Sequence, residues 1–260
     1  MKRIISIALA VLMCMALFAG CSSKKKNDSD YEAIKAKGTV VVGITDFAPM
    51  DYKDENGNWT GFDAELAVAV FDELGIKVEF TEIDWDNKIL ELDGGSIDCV
   101  WNGMTLTDEV KAGMECTNPY VLNAQVVVMP TDKITGDETD ESVAGLSFAV
   151  EAGSAGDTTA ADFGYENVTQ VDVQSKALME VAAGTSDACI IDKTMAEAMT
   201  GEGTSYPDLA VALELTNEEY GIGFRKGSDM AEKVNGILAE MKADGSLQEL
   251  ADKYCLSLID

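Results

Sequence analysis

The hydrophobic pattern of this chain switches repeatedly between two periods. Short runs rich in apolar residues at 39–44 (TVVVGI), 97–101 and 146–150, and the alternating stretch 78–83 (VEFTEI), predict strands. Between them lie stretches with apolar residues three and four apart, which predict amphipathic helices. Asp63 stands as a helix N-cap before AELAVAVFDELG, with Leu66, Val70 and Leu74 on one face and Gly75 as the stop. Further helices are predicted at 31–37 before Gly38, at 89–92 before Gly94-Gly95, at 174–183 before Gly184, at 194–199, at 230–244 before Gly245, and at 247–254. The run 120–130 (YVLNAQVVVMP) predicts one long strand, 186–192 another and 219–227 a third. Strands alternating with helices predict an α/β fold.

Three places in this pattern offer groups to a ligand. At 97–109 an apolar strand runs into Asn102-Gly103-Met104-Thr105-Leu106-Thr107, and Thr107-Asp108-Glu109 starts a helix with a capping hydroxyl and two acids. Gly103 permits close backbone approach. At 146–157 a strand ends in Glu151-Ala152-Gly153-Ser154-Ala155-Gly156-Asp157, a strand-to-helix turn whose free N–H groups suit a carboxylate. Asp192 follows an apolar strand, where an unpaired carboxylate is costly. From pattern alone, the first two also fit plain strand–loop–helix connections, and Asp192 also fits a cap for the helix after it.

Residues 1–20 lie outside the alternation. Lys2-Arg3 followed by the apolar run 4–18 form a targeting segment, too short and too early for a membrane span. Phe18-Ala19-Gly20-Cys21 resembles a lipobox, which implies lipidation at Cys21. Ser22 to Asp30, with Lys24, Lys25 and Lys26, is a polar tether.

Composition narrows the chemistry. The 260 residues, 47% hydrophobic and 25% charged, suit a soluble globular protein of one or two domains. A net charge of −28 argues against nucleic-acid partners. The absence of histidine removes Ser-His and Cys-His nucleophile pairs and histidine metal sites. Beyond Cys14 and Cys21, the cysteines at 99, 116, 189 and 255 form no CxxC motif, and free thiols packed as small hydrophobes are expected.

The ordered motifs resemble those of the amino-acid-binding extracytoplasmic solute-binding proteins, the receptors of ABC importers. Ile97-Asp98, Asn102 to Thr107 and Cys116-Thr117-Asn118-Pro119-Tyr120 look like that family's central run. Phe47-Ala48-Pro49-Met50 is similar to its aromatic-x-Pro signature, and Gly61-Phe62-Asp63 to a second hallmark. Ser186 to Asp192 and Glu219 to Gly227 resemble its second-lobe strand and returning hinge strand, so the likeness spans nearly all of 38–255. It implies a two-lobed periplasmic-binding-protein-like α/β fold of type II with two hinge strands. The chain would divide into a signal peptide (1–20), a lipidated tether and lead-in (21–37), a first lobe (38–126 and 218–260) and a second lobe (127–217).

The likeness also implies a site. Gly103, Thr105 and Asp192 would hold an α-ammonium, and the N–H groups of Thr105, Ser154 and Ala155 an α-carboxylate. Phe47 and Trp85 would sandwich the apolar part, with Asn102 and Met104 alongside. One position departs from the family: the arginine that clamps the carboxylate falls on Val110. Lys111, about 100° further round a helix, points elsewhere. The ligand implied is a small polar amino acid; with Asp46, Glu151 and Asp192 in it and Val110 in place of the arginine, the cleft is expected to be acidic, and a cationic amino acid or an amine without a carboxylate is the alternative. Implied partners are an ABC permease with its ATPase and the membrane through the lipid anchor; a monomer without a cofactor is expected. A solute-presenting sensor and an enzyme working through carboxylates or lysine are the other classes.

Overall fold

The computed structural model of the chain describes residues 29–259, so Cys21 and the targeting segment lie outside it. In chain order the strands are β1 (Thr39–Ile44), β2 (Tyr52–Lys53), β3 (Trp59–Thr60), β4 (Lys77–Glu82), β5 (Cys99–Thr105), β6 (Met114–Cys116) and β7 (Val121–Asn123). They continue as β8 (Gln125–Pro130), β9 (Phe148–Glu151), β10 (Val168–Val171), β11 (Ala188–Asp192), β12 (Leu209–Glu214) and β13 (Glu218–Arg225). One sheet runs β4-β1-β5-β13-β6, with β7 also on β13; the other runs β10-β9-β11-β8-β12. Each has three parallel strands and then an antiparallel one, β13 on β5 and β8 on β11. The chain is therefore two α/β lobes, as its motifs implied.

Alternation along β1 explains how the first lobe fills. Val40, Val42 and Ile44 face a core completed by Leu66, Val70 and Phe71 of the helix Phe62–Glu73, while Val41 packs on the opposite face. Phe71 meets Trp101 of β5 edge to face, with ring centroids 6.1 Å apart. In the second lobe Val127, Phe148, Val150 and Ile190 fill one face, and Phe148 stacks on Tyr165 at 4.6 Å. Each such side chain contributes about 1.5–3 kcal/mol by leaving water.

Two local expectations are corrected. The run 120–130 is two strands, because Ala124 passes the chain from the first sheet to the second. Its carbonyl accepts the Lys193 N–H at 2.8 Å, so a helix start satisfies it in place of a ladder. The return crossing runs beside it at 215–217: Leu215 N–H donates to Gln125 O at 2.8 Å, and Gln125 N–H donates to Thr216 Oγ1 at 2.9 Å.

Asp63 does not cap its helix. Gly61 is the N-cap, at φ 117°, and the N–H groups of Phe62 and Asp63 donate to Pro49 O and Met50 O at 2.9 Å each. With the helix start already satisfied by those carbonyls, the Asp63 carboxylate is free to turn inward. Cys99, Cys116, Cys189 and Cys255 are free thiols, two of them buried inside strands.

Candidate functional site

The ends of β5, β9 and β11, with the loop after β1, converge on a cleft between the lobes. Ligand sites form at such carboxyl ends because strand-to-helix turns there expose unspent backbone donors.

The first lobe supplies Phe47, Trp85, Asn102, Gly103, Met104 and Thr105. A shift of register between β13 and β5 falls opposite 101–103, so the bulged segment leaves the ladder at the cleft edge. Gly103 sits there at φ 55°, and a Cβ on it would run into the Phe47 ring. Its N–H donates to Asp63 Oδ2 at 2.6 Å, and Asp63 also accepts the Tyr120 hydroxyl at 2.7 Å. Asp63 therefore orients the Gly103 peptide from behind. Asn102 ties the same loop to the end of β1: its Oδ1 accepts the Thr45 N–H and its Nδ2 donates to Thr45 Oγ1, both at 2.8 Å. Thr105 Oγ1 donates to Glu218 Oε2 at 2.9 Å.

The second lobe supplies Glu151, Gly153, Ser154, Ala155, Gln174 and Asp192. Ser154 caps the helix Ala155–Asp162, its Oγ accepting the Asp157 N–H, which leaves the Ala155 N–H among the unspent first-turn donors. Glu151 is 4% exposed, and its Oε1 has no partner among the described residues. Burial, reinforced by Asp192, pushes its carboxyl up to about 8, against the pull of Lys88.

Asp192 lines the cleft but is not unpaired. Its carboxylate accepts from Asn123 Nδ2, Tyr220 Oη and Gln174 Nε2, and its N–H donates to Gln174 Oε1. Burial and Glu218 still push it up to about 6, while Gln174 and Tyr220 act to lower it.

Of the residues expected in the site, one lies elsewhere. Asp46 is exposed and does not line the cleft. The backbone alternates at the end of β1, so Thr45 and Phe47 turn inward while Asp46 turns out, with Glu82 and Lys53 as its charged neighbours. Val110 does line the cleft, 3% exposed, so the family arginine position faces the ligand space as an apolar side chain. Cys21 lies outside the described residues.

Lys88, Gln174 and Asp63 carry weight that the sequence did not reveal. Lys88 lines the cleft at 8% exposure, and its Nζ donates to Gly153 O across the cleft at 2.8 Å and to Trp85 O at 3.2 Å. Burial lowers its pKa, while Glu109, Glu151 and Asp86 act to raise it. Among the described residues no group of three or more metal-ligating side chains is present.

L-cystine-binding protein TcyJ of Escherichia coli (strain K12) is 29% identical over 256 residues, 95% of this chain and 94% of that protein. The structure of an ancestral arginine-binding protein bound to arginine superposes with a TM-score of 0.77 at 35% identity, covering 84% of this chain and 98% of that one. A Streptococcus pneumoniae ABC uptake transporter substrate-binding protein with bound histidine gives 0.79 at 29% identity, covering 87% and 96%. Residues 40–257 match a family model, and the chain belongs to the bacterial extracellular solute-binding proteins, family 3.

Proposed function

We propose that the chain is the lipid-anchored receptor of an ABC importer for amino acids, held by Cys21 at the extracytoplasmic face of the cell membrane. It works by binding and closure without chemical conversion of the ligand. The lobe that carries the first sheet, 39–123 and 218–259, closes on that built from 125–214, so the expected boundaries at 126/127 move back to the crossing at Ala124. A solute touching both walls favours closure by its extra affinity for the closed form.

The observation that carries this reading is the polarity of the cleft. Asp192 and the partnerless Glu151 carboxyl stand on one wall, the Ala155 N–H at its helix start is offered to an anion while the Ser154 N–H is spent on Glu151 O at 3.2 Å, and Phe47 and Trp85 supply apolar surface. That arrangement matches a small zwitterion with an added preference for positive charge, and the relatives include proteins named for cystine, histidine and arginine. Gly103 and Thr105 sit at the ammonium end, with Asn102 and Met104 shaping the floor.

A second reading, an amine without a carboxylate, is favoured by the apolar Val110 at the family arginine position. A thermal-shift screen of residues 22–260 against the twenty amino acids, cystine and a set of amines separates the two. A ligand at 100 times its Kd stabilises by about 2.7 kcal/mol. Shifts with amino acids support the first reading; shifts with amines alone support the second; no shift removes both. Release of the Cys21→Ala protein from membranes into the medium tests the anchor.

A further inference from the structure

We infer that Lys88 is the cation that holds the ligand carboxylate in this cleft, the part that Val110 cannot play. The inference rests on the amino-acid reading of the cleft.

Lys88 is the first residue of the helix Lys88–Gly94 and is nine-tenths buried. An ammonium has three N–H donors. Two are spent on Trp85 O and Gly153 O, and the third is left over. Nζ also lies 4.9 Å from the Trp85 ring centroid. Gly153 directly precedes Ser154, so the ammonium is tethered one residue from the N-terminus of the helix Ala155–Asp162, where a carboxylate would meet unspent N–H groups. Gly153 itself takes φ 65°, and a Cβ there would strike Asp86, so glycine is what lets the 85–88 segment approach this turn.

A second observation points the same way. A buried charge is costly unless it is paired. Lys88 is the only cationic side chain on the described lining, among Glu109, Glu151 and Asp192. Glu151 Oε1 lacks a partner on the same lining. A ligand with an ammonium and a carboxylate meets both needs at once. A bare amine would meet Glu151 and leave its own positive charge facing Lys88. Lysine acts here as a point charge with one free donor, where arginine would grip the carboxylate with two.

The test titrates the mature chain with the twenty L-amino acids and L-cystine, then compares the tightest with the amine left by removing its carboxyl group (agmatine for arginine, histamine for histidine, cystamine for cystine). The wild type should prefer the amino acid by about tenfold or more, the scale of one charge-assisted hydrogen bond. Lys88→Met should erase that preference, weakening the amino acid and leaving the amine unchanged or tighter. Lys88→Arg should keep it, and adding Val110→Arg to Lys88→Met should restore it. Equal weakening of both ligands by Lys88→Met would make Lys88 a closure contact only and overturn the inference, as would an undiminished preference. If the wild type prefers amines, or binds no amino acid, the amino-acid reading falls and the inference with it. Circular dichroism of each variant separates loss of binding from loss of fold.

Discussion

Asp63 and Asp192 are built alike and do different work. Each is a buried carboxylate that accepts a tyrosine hydroxyl, from Tyr120 and Tyr220 respectively. Each lies beside a second acid: burial and then Asp63 raise the pKa of Asp51, and burial and then Glu218 raise that of Asp192. Their remaining partners differ. Asp63 is spent on the backbone of Gly103 and faces no cavity, whereas Asp192 is held by two side-chain amides and keeps one side on the cleft. The number of donors does not decide which acid lines the cleft. The decision lies in whether open volume adjoins the oxygens.

The largest effect should come from breaking the first centre. Asp63→Leu leaves the Gly103 N–H and the Tyr120 O–H buried without acceptors, at about 1–3 kcal/mol each, so urea unfolding should show a loss of about 2–6 kcal/mol. Affinity then falls only as far as the Gly103 loop relaxes. Asp192→Asn inverts the outcome: it keeps the shape and removes the charge, so calorimetry should show a loss of about 1.5–3 kcal/mol in binding, with a smaller change in stability than Asp63→Leu.

The pH dependence sharpens the contrast. Asp63 is held at about 7, Asp192 at about 6 and Glu151 at about 8, all above the ordinary 3.8 to 4.5 because burial penalises the charged form. The native state then binds more protons than the unfolded chain between about pH 4 and 8, so the unligated protein loses stability as pH rises through that window. Affinity for a cationic ligand runs the other way, rising with pH as Asp192 and Glu151 ionise. Melting temperatures and titrations across the window check both slopes. Glu151→Gln should flatten the affinity slope; Asp63→Asn should flatten part of the stability slope and leave the affinity slope standing.

The smallest effect is expected at Val110. With Lys88 already in the cleft, Val110→Arg alone brings two like charges together, and its gain in amino-acid affinity should stay below about tenfold, or 1.4 kcal/mol, by titration.

Most of the scaffold was legible in the sequence because glycine stops and apolar runs report local structure directly. Gly38, Gly95, Gly184 and Gly245 end helices in left-handed geometry, as their positions suggested. Gly103, Ser154 and Asp192 were legible as cleft residues because strand ends and helix starts mark where a fold exposes backbone. Lys88 was not. In Asp86-Asn87-Lys88 it reads as a solvated charge, and its burial comes from Gly153, 65 residues away, folding over it. Asp63 looked like a cap because an acid before an apolar run usually is one, but Gly61 and the Pro49–Met50 carbonyls had taken that task. Asp46 failed on parity: one step along an extended chain exchanges inside for outside.

The paired crossings at Ala124 and 215–217 also set an order of assembly. Every strand of the second sheet lies between 125 and 214, so that lobe holds all its own pairing partners in one continuous stretch. The first sheet does not, because β5 must wait for β13, which the chain supplies only after the whole second lobe. As the polypeptide emerges from its N-terminus, the inner lobe can close while the edge at Cys99–Thr105 stands open. The cleft-lining strand of the first lobe thus lacks its antiparallel neighbour until Glu218–Arg225 is supplied.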